Sequence, residues 1–146
     1  MKVAVFGAKG RMGDEVCRAV EASQDLELVA ALDLDDDPTP AKDADVAVDF
    51  TVPDAVMGNL EWCAANGVHA VVGTTGFTPE KLERVRGLFA DSDANVIVAS
   101  NYSIGAILMM EWAAQAARYY ESVEIIELHH PNKVDAPSGT AATTAG

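Results

Sequence analysis

The chain has 146 residues, with 10 Lys and Arg against 23 Asp and Glu, for a formal net charge of −13. That length supports a domain with a real core, and so acidic a chain without a basic face is not built to bind nucleic acid or a membrane surface. No apolar run approaches the roughly 18 residues of a membrane span, and the apolar stretch behind Met1-Lys2 is too short for a secretory signal, so the expectation is a cytoplasmic enzyme.

Val3-Ala4-Val5-Phe6 is a short apolar run suited to a strand buried on both faces. A glycine-rich turn follows from Gly7 to Gly13. Met12, Val16, Ala19 and Val20 then recur at helical spacing, which predicts a helix to about Ser23. Leu26 to Leu32 gives a second strand, ending at Asp33. A polar, proline-containing loop comes next. Its Asp35-Asp36-Asp37 run reads as a solvated loop rather than a metal site, because consecutive carboxylates point in different directions.

Val46-Ala47-Val48 is a third strand, and Pro53 opens a helix that stops at Asn66-Gly67. His69 to Val72 is a fourth strand, with His69 read as a packing or surface residue. Thr78 caps a helix that has Pro79 in its first turn. Val96 to Ala99 is a fifth strand. A long helix covers about Ile104 to Tyr120, with Met109, Met110 and Trp112 as core or interface. Glu124 to Leu128 is a sixth strand. Cys17 and Cys63 fall in helical patterns with no CxxC, so both are expected as reduced, buried thiols.

Short apolar strands alternating with helices predict an α/β fold, a Rossmann-like doubly wound parallel sheet. Ligands in such sheets bind at the carboxyl ends of the strands, near the point where strand order reverses. The loops GAKGRMG, DFTVPD, GTTGFTP, ASNYSIG and HHPNKVDAPSGT, with the one after Asp33, are therefore expected to carry the chemistry.

Gly7, Ala8, Lys9, Gly10, Arg11, Met12 and Gly13 form a GxxGxxG turn between a strand and a helix. Glycines there allow a tight turn and close approach of backbone to a pyrophosphate, which the helix N-terminus then faces. An acid about 20 residues further on, Asp33, suits the ribose hydroxyls of NADH. Lys9 and Arg11 suit a 2′-phosphate, so NADH and NADPH both remain open, and two solvated side chains is the plainer reading of that pair. Phe50, Thr51, Gly73, Thr74 and Thr75 end the third and fourth strands and can line a nicotinamide-ribose pocket, although Gly and Thr also favour plain turns. Ser100, Asn101 and Tyr102 of the fifth loop complete the cofactor-binding set.

The last loop places His129, His130 and Lys133 together, and Lys133 is the only Lys or Arg beyond Arg118. Histidine is suited to proton transfer near neutral pH. Adjacent histidines diverge on an extended segment and no third ligand has recognisable spacing, so a metal is not expected. Ser138 lacks the GxSxG setting of a hydrolytic nucleophile.

The stretch ELHHPNKVDAPSGTA resembles the signature of the 4-hydroxy-tetrahydrodipicolinate reductase (dihydrodipicolinate reductase) family. VAVFGAKGRMG, DFTVPDAVMGNL, GVHAVVGTTGF and ASNYSIGA resemble it in order and spacing, and the wording is most similar to actinobacterial members. The resemblance implies NADH- or NADPH-dependent reduction of a cyclic dicarboxylate in lysine and diaminopimelate biosynthesis. It implies His129 as general acid and Lys133 as the cation that pairs with substrate. His130, Ser138, Gly139 and Thr140 would hold substrate carboxylates, with Ser138 to Thr140 opening a helix. The family's second, α+β substrate domain is only begun here. Residues 1–128 are thus expected as the dinucleotide-binding domain and 129–146 as the start of the substrate domain of a truncated chain, whose full-length relatives would form a homotetramer.

Two other readings use the same fold: a nucleotide-responsive binding module without catalysis, and another imine or semialdehyde oxidoreductase. The His129, His130, Lys133 and Ser138 to Thr140 set separates the first, since a sensor has no use for it. No cysteine at a strand end argues against a semialdehyde enzyme.

Overall fold

The computed structural model describes residues 1–99, 101–129 and 137–146. Five strands, β1 (Lys2–Phe6), β2 (Glu27–Leu32), β3 (Val46–Asp49), β4 (His69–Val72) and β5 (Val96–Val98), form one sheet in the order β2-β1-β3-β4-β5. Every pairing is parallel. The chain runs outward from β1 to β2, then returns to build β3, β4 and β5 on the other side. Strand order therefore reverses between β1 and β3, which is where an open parallel sheet leaves a crevice.

Apolar residues alternate between the two faces of the sheet, and each face has its own core. Val3 and Val5 pack with Val20 of α1 (Arg11–Ala22) on one face. Ala4, Phe6, Ala47, Ala70 and Val72 pack on the other with Val56, Leu60 and Cys63 of α2 (Val56–Asn66) and Val85 and Phe89 of α3 (Pro79–Ala90). A 3-10 turn, Thr39–Asp43, adds Ala41 to this second core. Both faces are thus covered by helix, as the doubly wound reading requires. Thr78 caps α3 by accepting from the Lys81 N–H, and Gly67 ends α2 in a left-handed conformation.

The chain divides into two compact units, Met1–Val98 and Ala99–Gly146. The sequence reading drew its boundary later, after Leu128. Within the second unit α4 (Ile104–Ala117) packs against α5 (Gly139–Ala145). The sixth strand expected at Glu124–Leu128 does not form among the described residues. A strand needs a ladder partner to satisfy its backbone, and no described segment pairs with this one. Trp112 and Met109 are exposed on α4 and are not core. Cys63 is buried while Cys17 is only half-buried, and both are free.

Candidate functional site

The glycine turn is tied directly to the end of β2. The Leu32 carbonyl accepts from the N–H groups of Gly7 at 2.8 Å and Ala8 at 2.9 Å, so Asp33 follows the very carbonyl that anchors the turn. Gly7 has φ +78°, and a Cβ there would lie 2.6 Å from the Phe50 carbonyl oxygen. The backbone of the turn therefore runs against the β3 loop, and only glycine fits. A Cβ at Gly13 would run into the Gly7 carbonyl, so glycine at 13 lets α1 start close against the turn. No side chain caps the N-terminus of α1, and Lys9, Gly10, Arg11 and Met12 are exposed around it. Open N–H groups at the positive end of a helix dipole, with two cations beside them, make a place for an anion.

Asp33 is half-buried. Its Oδ1 accepts from the Leu34 N–H at 2.9 Å, and its own N–H donates to Asp36 Oδ2 at 2.8 Å. A small cavity of about 50 Å³ opens there, lined by Phe6, Asp33, Leu34, Asp36, Pro38, Thr51, Ala55 and Asn59. The Asp37 carboxyl is held below its usual range by the N–H and then the hydroxyl of Thr39. The three aspartates thus stabilise the bend of their own loop. Among the described residues no group of His, Cys, Asp and Glu is arranged to hold a metal.

The β3 and β4 loops meet on a residue that sequence reasoning passed over as a site. Asp49, at the end of β3, is 2% exposed. Its Oδ1 accepts from the Thr51 N–H at 2.9 Å, the Thr51 hydroxyl at 2.7 Å and the Thr74 hydroxyl at 2.7 Å. Its Oδ2 accepts from Asn59 Nδ2 at 2.7 Å. A Cβ at Gly73 would strike the Phe50 ring, so the two loops also pack through that pair. The structure therefore brings Phe50, Thr51, Gly73 and Thr74 together and sets the Phe50-Thr51 backbone against Gly7, while Thr75 is exposed. His69 accepts the Asn95 N–H on Nδ1 at 2.9 Å, a structural contact at the start of β4.

In the second unit, Ser138 caps α5 by accepting from the Ala141 N–H at 3.1 Å. The expected helix start at Ser138 to Thr140 is present. The Ser138 N–H is taken by Glu127, 3.1 and 3.0 Å from its two carboxylate oxygens. Glu127 Oε2 also lies 3.9 Å from His129 Nδ1. Asn101 donates from Nδ2 to the Thr140 hydroxyl at 2.8 Å, and burial pushes the Tyr102 phenol up. A hollow of about 500 Å³ is lined by Glu127, His129, Ser138 and Thr140 together with apolar Met109, Val123 and Ile126. Its size and mixed lining suit a small polar ligand. Ser100, His130 and Lys133 lie outside the described residues.

Sequence reasoning missed Asp49, Asn59 and Glu127. Asp49 and Thr51 did carry a signal, because an Asp two residues before a Thr favours a local carboxylate turn. Asn59 and Glu127 carried none, since their partners are 10 and 11 residues away.

Comparison with known proteins bears on both units. A family model for "Dihydrodipicolinate reductase, N-terminus" matches residues 1–102, and one for "Dihydrodipicolinate reductase, C-terminus" matches 105–146. Among curated proteins, 4-hydroxy-tetrahydrodipicolinate reductase of Cutibacterium acnes is 62% identical, over 99% of this chain and 59% of its own length. The protein of the same name from Thermobifida fusca is 60% identical with the same coverage. A solved structure of dipicolinate-bound dihydrodipicolinate reductase from Paenisporosarcina sp. TG-14 matches with TM-score 0.78 and 36% identity, over 99% of this chain and 64% of that one. The chain thus spans about 59% of the length of the curated relatives it matches.

Proposed function

The chain belongs to the dihydrodipicolinate reductase family, and we propose that it serves the NADH- or NADPH-dependent reduction of 4-hydroxy-tetrahydrodipicolinate to tetrahydrodipicolinate, a step of lysine and diaminopimelate biosynthesis. The observation that carries the reading is the uncapped start of α1, tied through the Leu32 carbonyl to Asp33. A dinucleotide fits that arrangement: an open helix N-terminus for its pyrophosphate and a half-buried carboxylate for its ribose. When bound, the reduced nicotinamide supplies hydride.

Each group on the chain then has a task. The N–H groups of Arg11, Met12 and Gly13, in the first turn of α1, hold the pyrophosphate, with Gly7, Ala8 and Gly10 shaping the turn beneath it, and Asp33 accepts from the ribose hydroxyls. Lys9 and Arg11 belong to none of the ion pairs among the described residues and are available to a 2′-phosphate. Phe50, Thr51, Gly73, Thr74 and Thr75 border the nicotinamide end, and the family's pattern assigns Ser100, Asn101 and Tyr102 to cofactor binding. His129 delivers the proton that accompanies hydride addition, with the Glu127 carboxylate 3.9 Å from its Nδ1. Lys133 pairs with the substrate. His130, Ser138, Gly139 and Thr140 hold its carboxylates, the last two through N–H groups of the first turn of α5, which no helix bonds internally.

Residues 1–128 are read as the nucleotide domain and 129–146 as the start of the substrate domain. The complete protein is read as a cytoplasmic homotetramer. Among the described residues no helix is long and apolar enough to cross a membrane. The test is nucleotide oxidation on adding freshly made product of dihydrodipicolinate synthase. Substrate-dependent loss of NADH or NADPH is expected, and its absence with both nucleotides in the complete protein would refute the reading.

A further inference from the structure

Asp49 is a buried carboxylate that no described cation meets. None of the ion pairs among the described residues includes it. A buried charge is costly unless hydrogen bonds satisfy it. Here they do: Thr51 gives two, Asn59 one and Thr74 one. Those donors come from three segments, the β3 loop, α2 and the β4 loop. A carboxylate suits such a junction because it only accepts, and its charge strengthens every bond it receives. An apolar residue there would leave the Thr51 and Thr74 donors without a partner.

We propose that Asp49 is a positioning residue that fixes the nicotinamide end of the nucleotide site. It acts by locking the Phe50-Thr51 and Gly73-Thr74 loops to one another. This rests on the nucleotide reading given above. The lock has a second arm in the backbone, where the Gly73 N–H donates to the Asp49 carbonyl at 2.9 Å. It has a third in packing, because the Phe50 ring occupies the room that glycine at 73 leaves open. The Phe50 carbonyl in turn bounds Gly7, so the spacing set at Asp49 reaches the glycine turn. The Thr74 side chain is 5% exposed and spends its hydroxyl proton on Asp49. It has no donor left for a ligand, and its effect on binding must pass through the loop it holds. A fully satisfied polar network of this kind rigidifies what it joins.

Titration of the full chain with NADH and with ADP-ribose, which lacks the nicotinamide, tests the proposal. Thr74→Val keeps the shape and removes the cross-loop bond, and Thr74→Ser restores it. Thr74→Val should weaken NADH by about tenfold, the scale of one lost hydrogen bond to a charge, and leave ADP-ribose within about twofold. Thr74→Ser should bind both as the parent does. Asp49→Ala, which removes the acceptor that both loops share, should follow Thr74→Val, which keeps the test alive should that variant fold poorly. Melting midpoints recorded alongside ensure that folded protein is compared. Variants that lose stability yet keep the parent's NADH affinity, or that lose both ligands equally, overturn the positioning role. A parent chain that binds neither ligand overturns the nucleotide reading itself, and this proposal with it.

Discussion

The Glu127 carboxylate receives the Ser138 N–H at the start of α5, 3.1 and 3.0 Å from its two oxygens, and its Oε2 lies 3.9 Å from His129 Nδ1. One side chain thus connects the helix start to the histidine expected to move a proton. A carboxylate at a helix N-terminus is favourable on both hydrogen-bond and dipole grounds. Glu127→Ala should therefore loosen α5 while the first unit keeps its protection. Amide exchange at Ala141 and Ala142 should speed by about tenfold, the scale of one charged hydrogen bond. Unchanged exchange there would show that Glu127 does not hold the helix.

Glycine at 13 is set by contact and glycine at 87 is not. A Cβ at Gly13 would meet the Gly7 carbonyl, whereas one at Gly87, on an exposed stretch of α3, meets nothing within 4 Å. Gly13→Ala should cost about 1–3 kcal/mol and abolish NADH binding. Gly87→Ala should stabilise by about 0.5–1 kcal/mol and leave binding alone. Urea melts with a nucleotide titration check both, and equal behaviour of the two variants would contradict the packing account.

Asp33→Ala should weaken NADH by about tenfold or more, because a carboxylate accepting from ribose hydroxyls makes charged hydrogen bonds. NADPH should lose less, since its 2′-phosphate takes the place of one hydroxyl and turns to Lys9 and Arg11. Equal losses for the two nucleotides would show that Asp33 does not read the ribose.

Cys63 makes the alkaline behaviour of the chain predictable. Burial first, and the charge of Asp49 second, push its thiol from 9.0 up to about 12. The folded chain thus holds this proton more tightly than the unfolded chain does. Its contribution to stability is complete below pH 9.0 and is lost as pH rises toward about 12. Denaturant melts across that window should show stability falling more steeply for the parent than for Cys63→Ala. Parallel curves would contradict the buried-thiol assignment. In folded chain at pH 8, Cys63 should also resist thiol reagents, because little thiolate is present.

The sheet was legible because its strands are short apolar runs, four of the five closed by Gly or Asp, and they alternate with helical patterns, as a doubly covered parallel sheet requires. The Thr78 cap and the Gly67 stop were legible for the same local reason. Glu124 to Leu128 misled, because its β-forming Ile125 and Ile126 say nothing about whether a partner strand exists, and pairing is not local. Asp33 and the glycine turn could be read from spacing, since the turn and the second strand end are linked by fold. The Asp49 junction could not, because its partners at Asn59 and Thr74 are distant in sequence and meet only once α2 and β4 are packed. Glu127 was hidden likewise behind the chain that separates it from Ser138.

Label transfer tests the central claim most directly. The purified complete protein is given NADH carrying deuterium at the transferable nicotinamide position, with freshly made dihydrodipicolinate-synthase product, and the reduced ring is analysed by mass spectrometry and NMR. The account predicts that one deuterium appears on a single ring carbon of the tetrahydrodipicolinate formed, in proportion to nucleotide consumed. Reduced product without deuterium would contradict it, as would nucleotide oxidised without labelled product.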